Sequence, residues 1–265
     1  MFIVPESIND LYMIGDIHGA WKTILYQIKQ YKISNSAFIF CGDVGIGFER
    51  EEHYKQQVIP YIHKILKKYN NIFYWIAGNH DDPSYFEEQK INTKYVKCIP
   101  TYSIIRFKNK NILCIGGGIS IDRVWRKHQD LKRFEQYAHY HNITLEVASQ
   151  LCPASYWENE KIIYKPKYEE TIDIICSHSA PSFCYPIDKG QIVLHYAELD
   201  KDLLEDLENE RKLLDKVYED YKNTLTHWYY GHFHSSNMQK IENCIFKLLT
   251  INEMCRHVTD DYNLL

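Results

Sequence analysis

Apolar residues occur along this chain in short runs, and several runs stop at glycine. Leu11-Tyr12-Met13-Ile14 is followed by Gly15-Asp16, Ala37 to Cys41 by Gly42-Asp43, and Ile72 to Ala77 by Gly78-Asn79. Short apolar runs closed by turn formers read as buried strands. Between them the period changes. Trp21, Ile24, Leu25 and Ile28 recur at helical spacing, as do Val58, Ile62, Ile65, Leu66 and Tyr69. Pro60 opens or kinks the second of these helices. Strands alternating with helices predict a βαβ beginning.

The middle of the chain differs. Tyr102 to Phe107, a polar turn, and Ile112 to Ile115 predict a hairpin that ends at Gly116-Gly117-Gly118. From about 119 to 170 no clear period emerges, and this stretch is expected to be an irregular insertion or cap. Thr171 to Cys176 predicts another strand, ended by Ser177-His178. Residues 197–222 predict the clearest helix, with a stripe of Leu199, Leu203, Leu207, Leu214, Val217 and Tyr221. Thr226 to Tyr230 is a last buried strand, ended by Gly231-His232, and Met238 to Ile251 predicts a closing hairpin.

Composition narrows the class. At 265 residues the chain can bury a core without disulfide staples. Its 45% hydrophobic and 25% charged content excludes disordered and collagen-like classes. No repeat or linker divides it, so residues 1–265 read as one domain carrying the 119–170 insertion. The net charge of −4 makes a nucleic-acid partner unfavoured. No apolar run approaches the roughly 18 residues of a spanning helix, so no membrane partner is expected. The first residues, Met1-Phe2-Ile3-Val4-Pro5-Glu6, lack a secretory pattern, which makes a cytoplasmic location the expectation. None of the eight cysteines forms a CxxC pair, so they read as small buried hydrophobes.

What stands at the strand ends carries the chemistry. Asp16 with His18, Asp43, Asn79 with His80, His178, and His232 with His234 each follow an apolar run. In open α/β folds, sites form beyond the carboxyl ends of strands. The i, i+2 pairs Asp16/His18 and His232/His234 would share a side in extended backbone, where each grips one cation or bridges toward two. Mixed nitrogen and oxygen donors suit Mn, Fe, Zn, Co or Ni better than Mg or Ca. Asp43 stands alone and has two oxygens, the natural bridge. Two ions about 3.5–4 Å apart clamp a phosphoryl oxygen and generate hydroxide. His80, next to Asn79, is then placed as general acid or transition-state donor.

As an ordered set, Gly15-Asp16-Ile17-His18-Gly19, Gly42-Asp43, Gly78-Asn79-His80-Asp81, Ser177-His178 and Gly231-His232-Phe233-His234 resemble the signatures of the calcineurin-like metallophosphoesterase superfamily. The resemblance implies a four-layer α/β/β/α sandwich of two mixed β-sheets flanked by helices. It implies two divalent transition-metal ions, Mn first among them. By residue, one ion takes Asp16, His18, Asp43 and His234, the other Asp43, Asn79, His178 and His232, and His80 is the catalytic histidine. It implies a small phosphorylated substrate, monoester or diester. A nuclease and a non-catalytic metal-binding scaffold are the rival readings, and oligomeric state is left open.

Two departures narrow the subfamily. Val44-Gly45-Ile46-Gly47 lacks the arginine that follows this aspartate in phosphoprotein phosphatases and diadenosine tetraphosphatases. Ile46 stands where purple acid phosphatases place a tyrosine ligand. The run from Gly116 to Arg126 is similar to uncharacterised bacterial and phage phosphoesterases. Arg123 and Arg126, just past the triple glycine, are the candidates for pairing with phosphate. The competing reading has Arg123 on a structural carboxylate such as Asp122 and Arg126 in solvent.

Overall fold

The computed structural model describes residues 1–258. The first half runs β1 (Phe2–Ile3), β2 (Asp10–Ile14), α1 (Trp21–Gln30), β3 (Ser36–Phe40), α2 (Glu51–His53), α3 (Ile59–Tyr69), β4 (Ile72–Trp75), α4 (Ser84–Glu87) and β5 (Val96–Cys98). A hairpin of β6 (Ser103–Phe107) and β7 (Lys110–Ile115) leads to α5 (Arg123–His141) and α6 (Leu145–Leu151). Then come β8 (Ile174–Ser177), α7 (Gln191–Ala197), α8 (Leu203–Tyr221), β9 (His227–Tyr230), β10 (Asn237–Ile241), β11 (Cys244–Leu248) and β12 (Met254–Arg256).

These strands form two mixed sheets. One has the order β12-β2-β3-β4-β5, with β12 antiparallel and the rest parallel. The other has the order β1-β6-β7-β8-β9-β11-β10, parallel from β7 through β8 and β9 to β11. The pleat explains the unbroken apolar runs. Leu11, Met13, Ala37, Ile39, Ile72 and Tyr74 point between the sheets, against Ile105, Ile112, Cys114, Ile174 and Cys176. Their alternates Ile14, Phe38, Phe40, Phe73 and Trp75 pack under α1 and α3. On the other side Leu113, Ile175, Trp228, Tyr230 and Phe246 pack under Leu214, Val217 and Tyr221 of α8. A strand buried on both faces has no polar face to show. The result is the expected helix–sheet–sheet–helix sandwich.

The eight cysteines are free, and six are buried. Cys41 and Cys176 meet across the two sheets with sulfurs 3.4 Å apart. Among the described residues no helix is long and apolar enough to cross a membrane.

The expectation of an irregular 119–170 segment is corrected. It contains α5, a 19-residue helix, and α6, whose N-cap Thr144 accepts from the Val147 N–H. The buried positions of α5 are Arg123, Arg126, Asp130 and Ala138. Charged residues at i, i+3 and i+7 take the place of an apolar stripe, so the usual helical period is missing. The helix expected over 197–222 also divides. Leu199 is exposed in the break before α8, and α7 precedes it. Pro60 lies in the first turn of α3, directly after a π-helical stretch from Tyr54 to Val58.

Candidate metal centre

The residues that follow β2, β3, β4, β8 and β9 meet in one cluster. Asp16, His18, Asp43 and His234 each offer one ligand atom, and these atoms lie within 4.8 Å of one another. His234 Nε2 is 3.0 Å from His18 Nε2 and 3.3 Å from Asp16 Oδ2. A second group lies beside it. His178 Nε2 is 2.8 Å from Asn79 Oδ1, and His232 Nδ1 is 2.9 Å from that oxygen and 3.2 Å from His178 Nε2. Asp43 stands between the groups. Its Oδ2 is 3.8 Å from His18 Nδ1 and its Oδ1 is 3.3 Å from His178 Nε2.

The two i, i+2 pairs do not converge through extended backbone, so that expectation is corrected. His18, Asp43, His232 and His234 have φ of 42°, 47°, 70° and 48°. Left-handed backbone at non-glycine residues is costly and collects at functional sites. Here it leaves Asp16 and His18 in one group and divides His232 from His234 between two. The glycines of the signatures supply room. A Cβ on Gly78 would stand 2.1 Å from Asp43 Oδ1, and one on Gly231 would stand 2.1 Å from Asp16 Oδ1.

Backbone and side-chain bonds set the direction of each donor atom. His178 Nδ1 donates to the Cys41 carbonyl at 2.7 Å, which leaves the Nε2 lone pair facing the cluster. Asn79 Nδ2 donates to Ser120 Oγ at 3.1 Å, and Ser120 Oγ donates to Glu160 Oε2 at 2.7 Å. That relay turns the Asn79 amide oxygen toward His178 and His232. Asp16 accepts from the His232 N–H, and Asp43 Oδ1 accepts from the His80 N–H at 2.7 Å. Asp81 accepts from the backbone of Val44, Gly45, Ile46 and Gly78, which ties the loop after β3 to the loop after β4. Burial, then Asp43, pushes Asp81 up to about 7 against the bonds from Ile46, Gly78 and Val44.

The residues fit a pair of cations. Asp16 and Asp43 are fully buried, and burial followed by the Asp16 charge pushes the Asp43 carboxyl upward. Burial, then His178, pushes His232 far down, and burial lowers His18. The bond to Asp16 raises His234. Facing nitrogen lone pairs and neighbouring carboxylates repel one another unless positive charge lies between them.

Arg126, on α5, is buried and reaches this site. Its Nε bonds Asp122 Oδ1 at 2.8 Å, its Nη1 bonds the Ser155 carbonyl at 3.2 Å, and its Nη2 donates to the His80 ring. The alternative of a solvated Arg126 is thereby corrected. Burial, then Arg126, lowers His80 to about 2, so its imidazole is neutral. Arg123 is placed differently. Its guanidinium takes Asp206 Oδ2 at 2.5 Å and both oxygens of Asp200. The reading of Arg123 as a phosphate clamp is corrected, because two carboxylates already hold its fork and Asp122 belongs to Arg126. His128, His139 and His141 lie exposed on α5. Ser120, Glu160 and Asp81 were given no role by sequence reasoning. Asp81 at least followed a signature histidine, but nothing local marked the other two.

A family model described as calcineurin-like phosphoesterase matches residues 11–236. The chain belongs to that family. Similar solved structures include a phosphopantetheinyl hydrolase from Mycobacterium tuberculosis, 11% identical, with a TM-score of 0.49 over 97% of this chain and 98% of that one. A dimetal phosphatase from Danio rerio is 10% identical, with a TM-score of 0.45 over 92% and 88% of the two chains. No curated protein matches the chain by sequence.

Proposed function

We propose that this chain is a two-metal phosphoesterase acting on a small phosphate monoester or diester. The observation that carries this reading is the division of the Asp43 oxygens between two donor groups. Asp16, His18, Asp43 and His234 would hold one ion, and Asp43, Asn79, His178 and His232 the other. Bound ions would polarise a phosphoryl oxygen and supply a nucleophile near neutral pH. Mn is the first expectation among Mn, Fe, Zn, Co and Ni, on the mixed donor set.

The chain's own residues would do the rest. Arg126 is fixed by Asp122 and the Ser155 carbonyl. It would turn a donor from His80 to a phosphoryl oxygen, in place of the arginine absent after Asp43. His80, kept neutral, would act as a transition-state hydrogen-bond donor to the leaving oxygen rather than as an imidazolium acid. Arg126 Nη2 lies within hydrogen-bond distance of both ring nitrogens, so turning it to the phosphate would free the ring to present its N–H to the leaving oxygen. The segment bearing α5 would serve as the cap that supplies Arg126. Chromogenic monoester and diester substrates, assayed with added Mn beside elemental analysis, test this reading. Metal-dependent turnover of either ester is expected. Metal binding without turnover would favour an interaction scaffold, and turnover confined to single-stranded nucleic acid would favour the nuclease reading.

A further inference from the structure

The net charge of −4 conceals an uneven surface. Residues 17–42 and 53–80 carry α1 and α3, and together they hold seven lysines and no aspartate or glutamate. The remainder of the chain is correspondingly more acidic than the whole. Ile24, Ile28, Ile62 and Leu66 bury the inner side of both helices against the β2-β3-β4 sheet, which leaves the polar positions outside. On α1 the exposed positions include Lys22, Tyr26 and Lys29, spaced i, i+4 and i+7. On α3 they include Tyr61, Lys64 and Lys68, spaced i, i+3 and i+7. The two helices are neighbours, with Lys29 Nζ 6.0 Å from the centre of the Tyr61 ring.

Two features set this face apart. Lysines elsewhere are held by the chain's own carboxylates, as Lys110 is by Asp173, Lys161 by Asp206 and Lys247 by Glu253. Of the seven lysines here, Lys55 bonds Glu51. The other six form no ion pair among the described residues. The second feature is aromatic. Tyr26, Tyr31 and Tyr61 are 63%, 72% and 42% exposed, and no aliphatic side chain joins them among the large exposed apolar residues of the two stretches.

Unpaired lysines match closely spaced phosphates, from which they release counterions. Exposed tyrosine rings match bases whose faces are open, as they are in a single strand and are not in a duplex. An anionic membrane would reward inserted leucine, phenylalanine or tryptophan, which this face lacks. The acidic α8 of a second copy is a poorer match, because Glu208 and Glu219 already hold Lys212 and Lys222. Helices of 10 and 11 residues, each about 15 Å long and packed about 10 Å apart, give room for a few nucleotides.

We propose that the outer face of α1 and α3 binds single-stranded nucleic acid. Lys29, Lys32, Lys67 and Lys68 stand at or just past the C-terminal ends of these helices, where β3 and β4 begin. Asp43 and Asn79 follow the opposite ends of those strands, with about 15 Å of strand between. Binding at this face therefore does not rest on the phosphoesterase reading.

Fluorescence anisotropy of a labelled oligothymidylate of about twelve nucleotides, with the Mn-loaded protein, tests the proposal. Binding is expected, and with four lysines on phosphates its affinity should fall about 50-fold between about 50 and 200 mM salt. Lys64→Glu with Lys68→Glu should weaken it at least tenfold and flatten the salt dependence. Tyr26→Leu with Tyr61→Leu should weaken it at least fivefold and remove the preference for the single strand over a matched duplex. Both double variants should keep the melting temperature, the metal content and the ester turnover of the parent. No binding at the lower salt would overturn the proposal, as would binding that the folded lysine variant leaves intact. A duplex bound as tightly as the single strand, with no effect of the tyrosine variant, would also overturn it. So would capture by phosphatidylglycerol vesicles in place of the oligonucleotide.

Discussion

At the residue scale the centre is built from groups that are hard to hold together without positive charge. Asp43 links both donor groups, so its effects should reach both. His80 donates its backbone N–H to Asp43 but is not itself among the proposed ligands. His80→Ala is therefore expected to keep its metal content while losing about 10²–10⁴ in rate. Elemental analysis and turnover on the same preparation check this; an emptied metal site would show that His80 is a ligand. Ser120 offers a finer test. Without its hydroxyl the Asn79 amide loses its fixed orientation. Ser120→Ala should weaken one Mn-binding event by roughly 10–100-fold and spare the other. Calorimetric titration showing both events unchanged, or both equally weakened, would contradict the relay from Glu160.

The proposed ligand positions were legible because glycine, aspartate, asparagine and histidine recur at strand ends. The positive φ angles that turn four of these residues were not legible, and the division of His232 from His234 came only with the family resemblance, not from the i, i+2 spacing. Those features depend on how loops from two sheets meet, which no single stretch encodes. Ser120 and Glu160 are 40 residues apart and meet only through the fold.

At the element scale α5 is the informative case. Its inward residues bond rather than pack. Arg123 engages Asp200 and Asp206, and Asp130 accepts from Ser155 Oγ and from the Ser155 and Tyr156 backbone N–H groups. A search for apolar periodicity passes over such a helix, whereas α1 and α3 show their periods because they cover a sheet. Short strands escaped for another reason. β1, β5 and β12 have two or three residues each, too few to establish alternation. Arg123→Ala should destabilise the fold by about 3 kcal/mol, since it leaves the buried Asp200 carboxylate without its guanidinium partner, while Asp206 keeps Lys161. Metal content should be unchanged, and activity should fall only as far as the stability loss accounts for. Activity lost at unchanged melting temperature would return Arg123 to the substrate.

At the scale of the whole molecule, two sheets face each other and carry loops from both halves of the chain into one site. The apolar runs marked the strands and a βαβ beginning, the sandwich itself was implied by the family resemblance, and the family match covers the span from β2 past β9. Burial also carries costs that a pH series can read. Glu210 on α8 is buried, burial pushes it up to about 7, and among the described residues its Oε2 finds no hydrogen-bond partner. Its folded pKa lies above the ordinary value of 4.5, so its contribution to stability is fully present below that pH. The contribution is lost as pH rises through about 7. Glu210→Gln should therefore raise stability at pH 8 by roughly 2–3 kcal/mol and change little at pH 4. Denaturant unfolding at the two pH values checks this, and an equal gain at both would refute the burial argument.

The central claim is that one carboxylate joins two ion sites, and paramagnetic resonance of the Mn-loaded protein tests it most directly. Two Mn ions about 3.5–4 Å apart and sharing Asp43 should give two equivalents per chain and an exchange-coupled spectrum. Asp43→Asn should weaken both ions and remove the coupling. A single ion per chain, or two uncoupled ions that survive Asp43→Asn, would contradict the account.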